Sequence, residues 1–433
     1  MSETRKGALA AALTVLVRAG SAALTFGLQI LLARLMPLED YGGYVAVWTW
    51  MLALGSFAAL GFAESSIRFL PRYQLLGRGS AIHGYWRLAL RAIGAAAVPL
   101  VLGAVLLAWL LGFDTAGGMT VLLIGLGLPL LAAEYFFEGV GRSFGWFGLA
   151  TVPVYLVRPL LIGGLCVGLA WFGVELTLPV VGAVLLVAMA LVTAGVGTVL
   201  VMRLRGFGRD GAVGRRQRRV WVAAALPLLL VSGLEDLTSY ADLLVLSLML
   251  PAETLGPYFA AARTLALAGF VSYAATLVAG RRFALDLAGR DRAELQRSVS
   301  RSTGATLWAT VVAVVVAWAA GPLLLRLFGP EFTGAQGVLL LLGVGMIAKA
   351  ASGQAAELLV VAGRQREAMS LGAVVLGVQL GLCVALVPLW GVAGAAAGMA
   401  LGMAVRSALL GWLVWRLERI RVWSAAVPRL RAA

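Results

Sequence analysis

The sequence has 433 residues, of which 61% are hydrophobic and only 13% are charged. Soluble domains carry charge on roughly a quarter of their residues, so this composition excludes an ordinary soluble protein. The net charge of +15 would suit a nucleic-acid partner, but the basic residues lie in short connectors between apolar segments. We therefore expect no nucleic-acid partner and predict a chain that crosses a membrane several times.

Apolar segments of spanning length follow one another from end to end. A spanning helix needs roughly 20 mostly apolar residues, and the sequence offers about twelve such segments, of which the first and seventh are interrupted by polar residues. The predicted spans are 8–35, 42–70, 83–112, 118–141, 148–173, 177–202, 221–250, 255–283, 299–328, 334–362, 368–390 and 392–415. This pattern predicts an all-α integral membrane protein.

Basic residues are distributed unequally between alternate connectors. One set of connectors carries nearly all of them, whereas the other set carries only Arg34 and Arg326. Connectors rich in Lys and Arg face the cytoplasm, so both termini are predicted to be cytoplasmic. The basic connectors begin near Arg5, Arg68, Arg142, Arg203, Arg281, Arg364 and Arg416.

A motif of the form P-x-E-x-x-G-x-Y occurs twice, at Pro37–Tyr44 and again at Pro251–Tyr258. It follows the first predicted span and the seventh, so it predicts two pseudo-symmetric six-helix bundles of the same orientation. The predicted divisions are an N-terminal bundle (1–202), a basic cytoplasmic linker (203–220), a C-terminal bundle (221–415) and a basic cytoplasmic tail (416–433). In transporters built from two repeats the substrate site lies between the halves near the bilayer midplane, so the repeat favours a transporter.

Several ionisable residues fall inside the predicted spans. Each costs roughly 2.5–3.5 kcal/mol to insert, so such groups usually face a cavity or a partner. They are Arg18, Glu64, Glu134, Glu138, Arg158, Glu235, Asp236, Asp242, Arg263, Lys349, Glu357 and Arg406.

The first span carries a polar stripe, because Arg18, Ser21, Thr25 and Gln29 recur at helical spacing. A stripe of this kind is unfavourable against lipid and is expected to line a wet interior.

Cationic side chains from both halves are the leading candidates for substrate contact. They are Arg18 and Arg158 in the first half and Arg263, Lys349 and Arg406 in the second. A guanidinium binds phosphate through paired N–H donors, so a cavity with several arginines suits an anionic substrate.

Structural pairing is the alternative for several of these charges. Glu134, Glu138 and Arg142 follow one another at four-residue intervals and could neutralise one another, as could Glu64 with Arg68. The acidic group Glu235, Asp236 and Asp242 either binds a coupling cation or pairs with arginines, and both interpretations stay open at this point.

Signals for catalysis are lacking in the sequence. It contains no Walker loop, no H-E-x-x-H motif and no nucleophile elbow. Cys166 and Cys383 are isolated within apolar runs, so neither a disulfide nor a metal site is expected. We therefore predict a protein that is not an enzyme and has no cofactor.

The segments LLARLMPLEDYGGYVAVW and ALGFAESSIRFLPRY resemble the start of polysaccharide biosynthesis membrane proteins. These are the oligosaccharide flippases of the multidrug/oligosaccharidyl-lipid/polysaccharide exporter superfamily. LPAETLGPYFAAARTL, RLFGPEFTGAQGVLLLL and LVPLWGVAGAAAGMALG resemble later junctions of the same family. The resemblance covers residues 8–415 and specifies the family better than its substrate.

This resemblance implies two six-helix bundles that work by alternating access in the bacterial inner membrane. The implied substrate is an undecaprenyl-diphosphate-linked oligosaccharide moved to the outer leaflet, with Arg18 and Arg263 contacting the diphosphate. The implied partners are membrane lipids and the polymerase and glycosyltransferases of the same pathway. Coupling to a proton or sodium gradient, or to the membrane potential, stays open. The alternatives are a drug or cation exporter on the same fold and, less favoured, a membrane polysaccharide polymerase.

Overall fold

The computed structural model describes residues 20–208, 213–269, 283 and 292–423. This part of the chain is helical and contains no strand. In the first 208 residues the helices are α1 (Gly20–Leu35), α2 (Leu38–Ala58), α3 (Phe62–Leu75), α4 (Gly79–Leu111), α5 (Ala116–Ser143), α6 (Phe147–Trp171) and α7 (Leu178–Leu204). They are followed by α8 (Arg215–Met249), α9 (Leu255–Ala266), α10 (Arg292–Phe328), α11 (Gln336–Ala350), α12 (Ala355–Val361), α13 (Gln365–Trp390) and α14 (Val392–Glu418).

Most of these helices are long and apolar enough to cross a membrane. Eight of them meet that requirement within the described ranges, and a ninth span, Pro330–Val361, contains α11 and α12 together. A tenth is added if the bent pair α2 and α3 forms one span. The prediction of an all-helical multi-pass membrane protein is confirmed. The count of twelve and the cytoplasmic placement of both termini stay predictions, because residues 1–19 and 270–282 of the predicted first and eighth spans lie outside the described residues.

The second predicted span, 42–70, is broken rather than continuous. Helix α2 ends at Ala58 and α3 begins at Phe62, with a bend of 44° between them. Gly61 adopts a φ of +69°, a conformation that costs other residues roughly 1–2 kcal/mol. A Cβ atom at Gly61 would lie 2.1 Å from the carbonyl oxygen of Ala225 in α8. Hydropathy alone could not reveal this break, because the residues on both sides of it are apolar.

The chain divides into two compact units between Asp236 and Leu237, within α8. The first unit contains an aromatic core around Trp221. Trp221 is fully buried and donates a hydrogen bond from Nε1 to the Tyr73 hydroxyl at 2.8 Å. The segment predicted as a linker contributes to this core, because Phe207 stacks on Phe144 with ring centroids 5.1 Å apart. Residues 209–212 of that segment lie outside the described residues.

The chain beyond α14 packs against the second unit. The Gln296 side chain in α10 satisfies both backbone groups of Arg421. Its amide nitrogen donates to the Arg421 carbonyl and its amide oxygen accepts from the Arg421 N–H, each at 2.8 Å. Ile420 and Val422 are buried on either side of this contact. Ile420 and Val422 of the predicted tail, 416–433, therefore belong to the core of the unit, whereas residues 424–433 lie outside the described residues.

Candidate functional site

A buried ion pair joins α5 to α6 inside the first unit. Arg158 donates from Nη1 to Oε2 of Glu134, and both residues are almost fully buried. The guanidinium also lies over the Trp48 ring, with its Cζ atom 5.1 Å from the ring centroid. Within the described structure the second carboxylate oxygen of Glu134 has no hydrogen-bond partner. Arg158, a predicted cavity cation, is therefore neutralised by a neighbouring helix in this structure.

Glu138 lies one helical turn further along α5, where Arg142 and Tyr155 contact it. Arg142 donates to its Oε1 atom, and the Tyr155 hydroxyl donates to the carboxylate at 3.3 Å. The local pairing of Glu138 with Arg142 is thus confirmed, whereas Glu134 binds across to α6. A π-helical turn over Pro153–Val157 immediately precedes Arg158, and turns of this type often occur at functional sites.

The predicted local pair of Glu64 with Arg68 is not formed between these two described residues. Arg68 is exposed, and its guanidinium lies 5.6 Å from the centroid of the Phe69 ring. Glu64 faces Ser232 of α8 and lies near the charge of Arg142. Glu64 lies in the first turn of α3, so the bend between α2 and α3 determines which helix its side chain faces. The four-residue spacing of Glu64 and Arg68 in the sequence could not predict this bend.

The polar stripe of the first span faces the protein in its described part. Gln29 is 2% exposed and accepts a hydrogen bond from the Tyr41 hydroxyl of α2 at 3.3 Å, and Ser21 is also buried. Arg18, the first-ranked member of the stripe, lies outside the described residues. Gln29 therefore connects α1 with α2, and its place in a substrate cavity stays a prediction.

The acidic residues of α8 differ in their surroundings. In the first unit, Asp236 is half-buried and accepts one hydrogen bond from Ser56 at 2.5 Å, beside the exposed Glu235. In the second unit, Asp242 is buried and accepts from the Tyr258 hydroxyl at 2.5 Å and from the Leu243 N–H at 2.9 Å. The described residues contain no group of three or more His, Cys, Asp or Glu that could hold a metal ion.

Cationic groups of the second unit are distributed over three helices. Arg263 is half-buried on α9, where its Cζ atom lies 4.6 Å from the centroid of the Phe259 ring. Arg406 is half-buried near the middle of the 27-residue helix α14. No carboxylate in the described ranges pairs with either arginine. Lys349 is exposed, one residue before the end of α11.

Sequence reasoning missed the partners Trp48, Ser56 and Tyr258. The signal for Tyr258 was present, because it is the final residue of the second P-x-E-x-x-G-x-Y motif. Its counterpart Tyr44 is buried in the first unit and stacks on Tyr41 with centroids 6.3 Å apart. Neither Trp48 nor Ser56 occupies a recognisable motif, so only the structure could identify them.

The fold is shared with transporters of known structure. The chain is similar to "Lipid II flippase MurJ, inward closed conformation", with a TM-score of 0.73 and 12% identity, covering 93% of this chain and 87% of that one. It is also similar to an inward-facing multidrug resistance MATE family transporter of the MOP superfamily (TM-score 0.70, 17% identity, 92% and 94% covered). A MOP superfamily transporter from Pyrococcus furiosus matches at a TM-score of 0.63 and 15% identity, with 93% of both chains covered. These likenesses define a multi-pass membrane protein with the MOP transporter fold.

The sequence narrows the class further. It matches the family described as "Polysaccharide biosynthesis protein" over residues 9–279, and the chain therefore belongs to that family. No curated protein matches the sequence of this chain. Family and fold together point to a transporter rather than an enzyme.

Proposed function

We propose that this transporter moves an undecaprenyl-diphosphate-linked oligosaccharide from the inner to the outer leaflet of a bacterial inner membrane by alternating access. The glycan would be a repeat unit of O-antigen, capsule or exopolysaccharide, delivered by glycosyltransferases and passed to a polymerase. Membership of the polysaccharide biosynthesis family supports the substrate class, and the fold supports a transport mechanism.

The observation that carries this proposal is that Arg263 and Arg406 have no carboxylate partner among the described residues. Both lie within apolar helices of the second unit, and no carboxylate in the described ranges pairs with them. An unpaired cation is costly in a membrane, so its presence favours an anionic ligand. A guanidinium can donate two parallel N–H bonds to a phosphate, which suits a diphosphate group.

The cations of the proposal differ in their readiness to bind an anion. Arg158 already has a carboxylate partner, so it would contact the diphosphate only after that pair opens. Arg263 and Arg406 need no such rearrangement and become the first choices among the described residues. Lys349, at the end of α11, and Arg18, outside the described residues, stay in the proposal as further contacts.

Transport assays on Arg263→Gln and Arg406→Gln test the proposal. Charge-assisted hydrogen bonds contribute about 1.5–3 kcal/mol, so each variant should lower the initial rate of translocation roughly ten- to hundredfold. The substrate is a lipid-linked oligosaccharide reconstituted in proteoliposomes, and its arrival in the opposite leaflet is measured by cleavage with an added glycosidase.

Arg416→Gln is the matched control. Arg416 lies over Trp412 at 5.1 Å, the same four-residue cation–π arrangement as Arg263 over Phe259, but Arg416 is exposed whereas Arg263 is half-buried. It should transport at the wild-type rate. If the wild type failed to move the lipid-linked oligosaccharide but expelled a cationic dye, the proposal would be wrong and the drug-exporter alternative would replace it.

We further propose that Asp236 takes part in ion coupling and that Asp242 has a structural role. Asp242 is buried with two hydrogen-bond donors on its carboxylate, which leaves little access for a proton or cation. Asp236 is half-buried, accepts one hydrogen bond from Ser56 and lies beside the exposed Glu235. Glu64, near Ser232 of the same helix, is the next acidic side chain of this group.

Asp236→Asn is expected to abolish the stimulation of transport by an imposed ion gradient, because the amide cannot take up and release a proton. Asp242→Asn, which removes the same charge from the same helix, should keep the stimulation. Initial rates are compared with and without a proton gradient, and separately with a sodium gradient. A wild-type rate that responds to neither gradient, or a response lost only in Asp242→Asn, would contradict the assignment.

A further inference from the structure

Three arginines of the first unit surround a small cavity near the start of α4. The cavity has a volume of about 270 Å³ and is lined by Arg87 and Arg91 of α4 and by Arg218 in the first turn of α8. Ser80, Gly84, Leu88 and Val213 complete its lining. We refer to it as the arginine pocket. Such a concentration of positive charge at one concave surface attracts an anion.

Among the described residues, the guanidinium groups of this pocket use only a few of their N–H donors. Arg87 donates one bond from Nε to the His83 carbonyl at 3.4 Å, and Arg218 donates one from Nη2 to the Val213 carbonyl at 3.3 Å. No carboxylate of the described chain pairs with Arg87, Arg91 or Arg218. Since each guanidinium has five N–H donors, the pocket can satisfy a phosphate group.

Arg87 also borders a second cavity of about 320 Å³ between α4 and α7. Its other lining residues are His83, Trp86, Val201 and Leu204. A third, larger cavity of about 660 Å³ follows further along the same two helices, and we call it the apolar groove. Its lining is entirely apolar and comes from α4, α5 and α7, and it includes Val98 and Leu102 of α4, Pro129 of α5 and Ala190 of α7.

The arginine pocket and the apolar groove share one face of α4. Arg87, Arg91, Val98 and Leu102 follow at intervals of four, seven and four residues, which a helix places within the same face. Val98 and Leu102 are exposed, so the groove opens toward the membrane. At 1.5 Å per residue, about 16 Å separate Arg91 from Leu102 along the axis, close to half of the roughly 30 Å hydrocarbon thickness of a bilayer.

From this arrangement we infer that the surface binds one anionic glycerophospholipid, with its phosphate among Arg87, Arg91 and Arg218 and an acyl chain in the apolar groove. The cavities supply a cationic end and an apolar end in the order in which a lipid of one leaflet presents its headgroup and its chain. The distribution of basic residues predicts that this end of α4 is cytoplasmic, so the lipid belongs to the inner leaflet, where juxtamembrane arginines attract anionic headgroups.

Two other sources of phosphate fit the surface less well. A free phosphate would use the arginine pocket but not the groove. A polyprenyl lipid is much longer than the roughly 16 Å that separate Arg91 from Leu102 along α4. This surface belongs to the first unit only and is separate from the proposed substrate contacts on α9 and α14.

Native mass spectrometry of the purified full-length protein tests the inference, with phosphatidylglycerol and phosphatidylcholine added in equal amounts. The wild type should retain phosphatidylglycerol in preference, and the Arg87→Gln/Arg91→Gln/Arg218→Gln variant should retain more than about tenfold less of it. The matched control Arg72→Gln/Arg205→Gln/Arg216→Gln removes three exposed arginines from outside the arginine pocket and should behave as the wild type.

Ala190→Phe tests the acyl-chain part with the arginines intact, because the larger side chain fills the apolar groove. It should lower phosphatidylglycerol retention as well. The inference would be overturned by equal retention of the two lipids in the wild type, or by equal loss in the two triple variants. Displacement of phosphatidylglycerol by glycerol phosphate alone would identify a soluble phosphate as the ligand, and preferential displacement by undecaprenyl diphosphate would identify the polyprenyl lipid. Either displacement would likewise overturn the inference.

Discussion

Arg158→Met is expected to destabilise the first unit by about 3–5 kcal/mol, because it leaves Glu134 buried without its counter-charge. Glu134 is 2% exposed, and its other carboxylate oxygen has no hydrogen-bond partner within the described structure, so nothing nearby compensates for the lost guanidinium. The Trp48 ring would also lose its cation–π contact with Arg158. The free energy of unfolding is measured by equilibrium denaturation in mixed micelles.

Two further variants separate loss of the charge pair from other effects of this substitution. Arg142→Gln breaks the neighbouring pair with Glu138, but the Arg142 side chain is 40% exposed and Glu138 keeps the Tyr155 hydroxyl as a donor. The cost should therefore stay below about 1 kcal/mol. The double variant Glu134→Gln/Arg158→Met should recover much of the lost stability, since it removes both charges. Equal free energies of unfolding for Arg158→Met and Arg142→Gln would contradict a stabilising role of the buried Arg158–Glu134 pair.

Gly61→Ala is expected to cost about 2–5 kcal/mol, which combines backbone strain with overpacking. The φ of +69° disfavours any residue with a Cβ atom, and that atom would lie 2.1 Å from the carbonyl oxygen of Ala225 and 2.8 Å from the amide nitrogen of Leu229. Neither contact can be relieved by rotating a side chain, because both atoms belong to the α8 backbone. Helix α3 would therefore have to move away from α8.

Gly77→Ala is the matched control for this prediction. Gly77 has a similar φ of +62°, but no atom lies within 4 Å of the position its Cβ would take. Gly77→Ala therefore introduces the backbone strain without a steric clash, so it should lower the free energy of unfolding by about 1–2 kcal/mol. The same denaturation assay measures both variants, and hydrogen exchange of α3 reports on its separation from α8. Equal costs for the two glycines would contradict a close approach of α3 and α8.

The class of this protein could be predicted from sequence because it depends on quantities that are additive along the chain. Hydropathy over windows of about 20 residues identifies spanning helices without reference to their neighbours. The repeat is likewise predicted by the two copies of the motif, at Pro37–Tyr44 and Pro251–Tyr258, since turn motifs depend on local residue types. The membrane environment makes this inference unusually direct, because backbone hydrogen bonds inside a bilayer must be satisfied within each helix.

Pairing of the intramembrane charges required the tertiary structure. The spacing of Glu134, Glu138 and Arg142 predicted one local network, but only Glu138 pairs locally, whereas Glu134 binds Arg158 across the interface between α5 and α6. Contacts of the latter kind depend on how helices rotate against each other, which the π-turn at Pro153–Val157 alters for α6.

The sequence by itself thus determined that the chain is a helical membrane protein, and it predicted two related halves and a set of candidate cations. Only the tertiary structure decided which cations lack a carboxylate partner in the described ranges, namely Arg263 and Arg406, and that Arg158 has one. The same holds for the bend at Gly61, whose cause is the close approach of α8. The physical reason is that hydrophobicity is a sum over residues, whereas charge neutralisation and close packing depend on pairs of residues far apart in the chain.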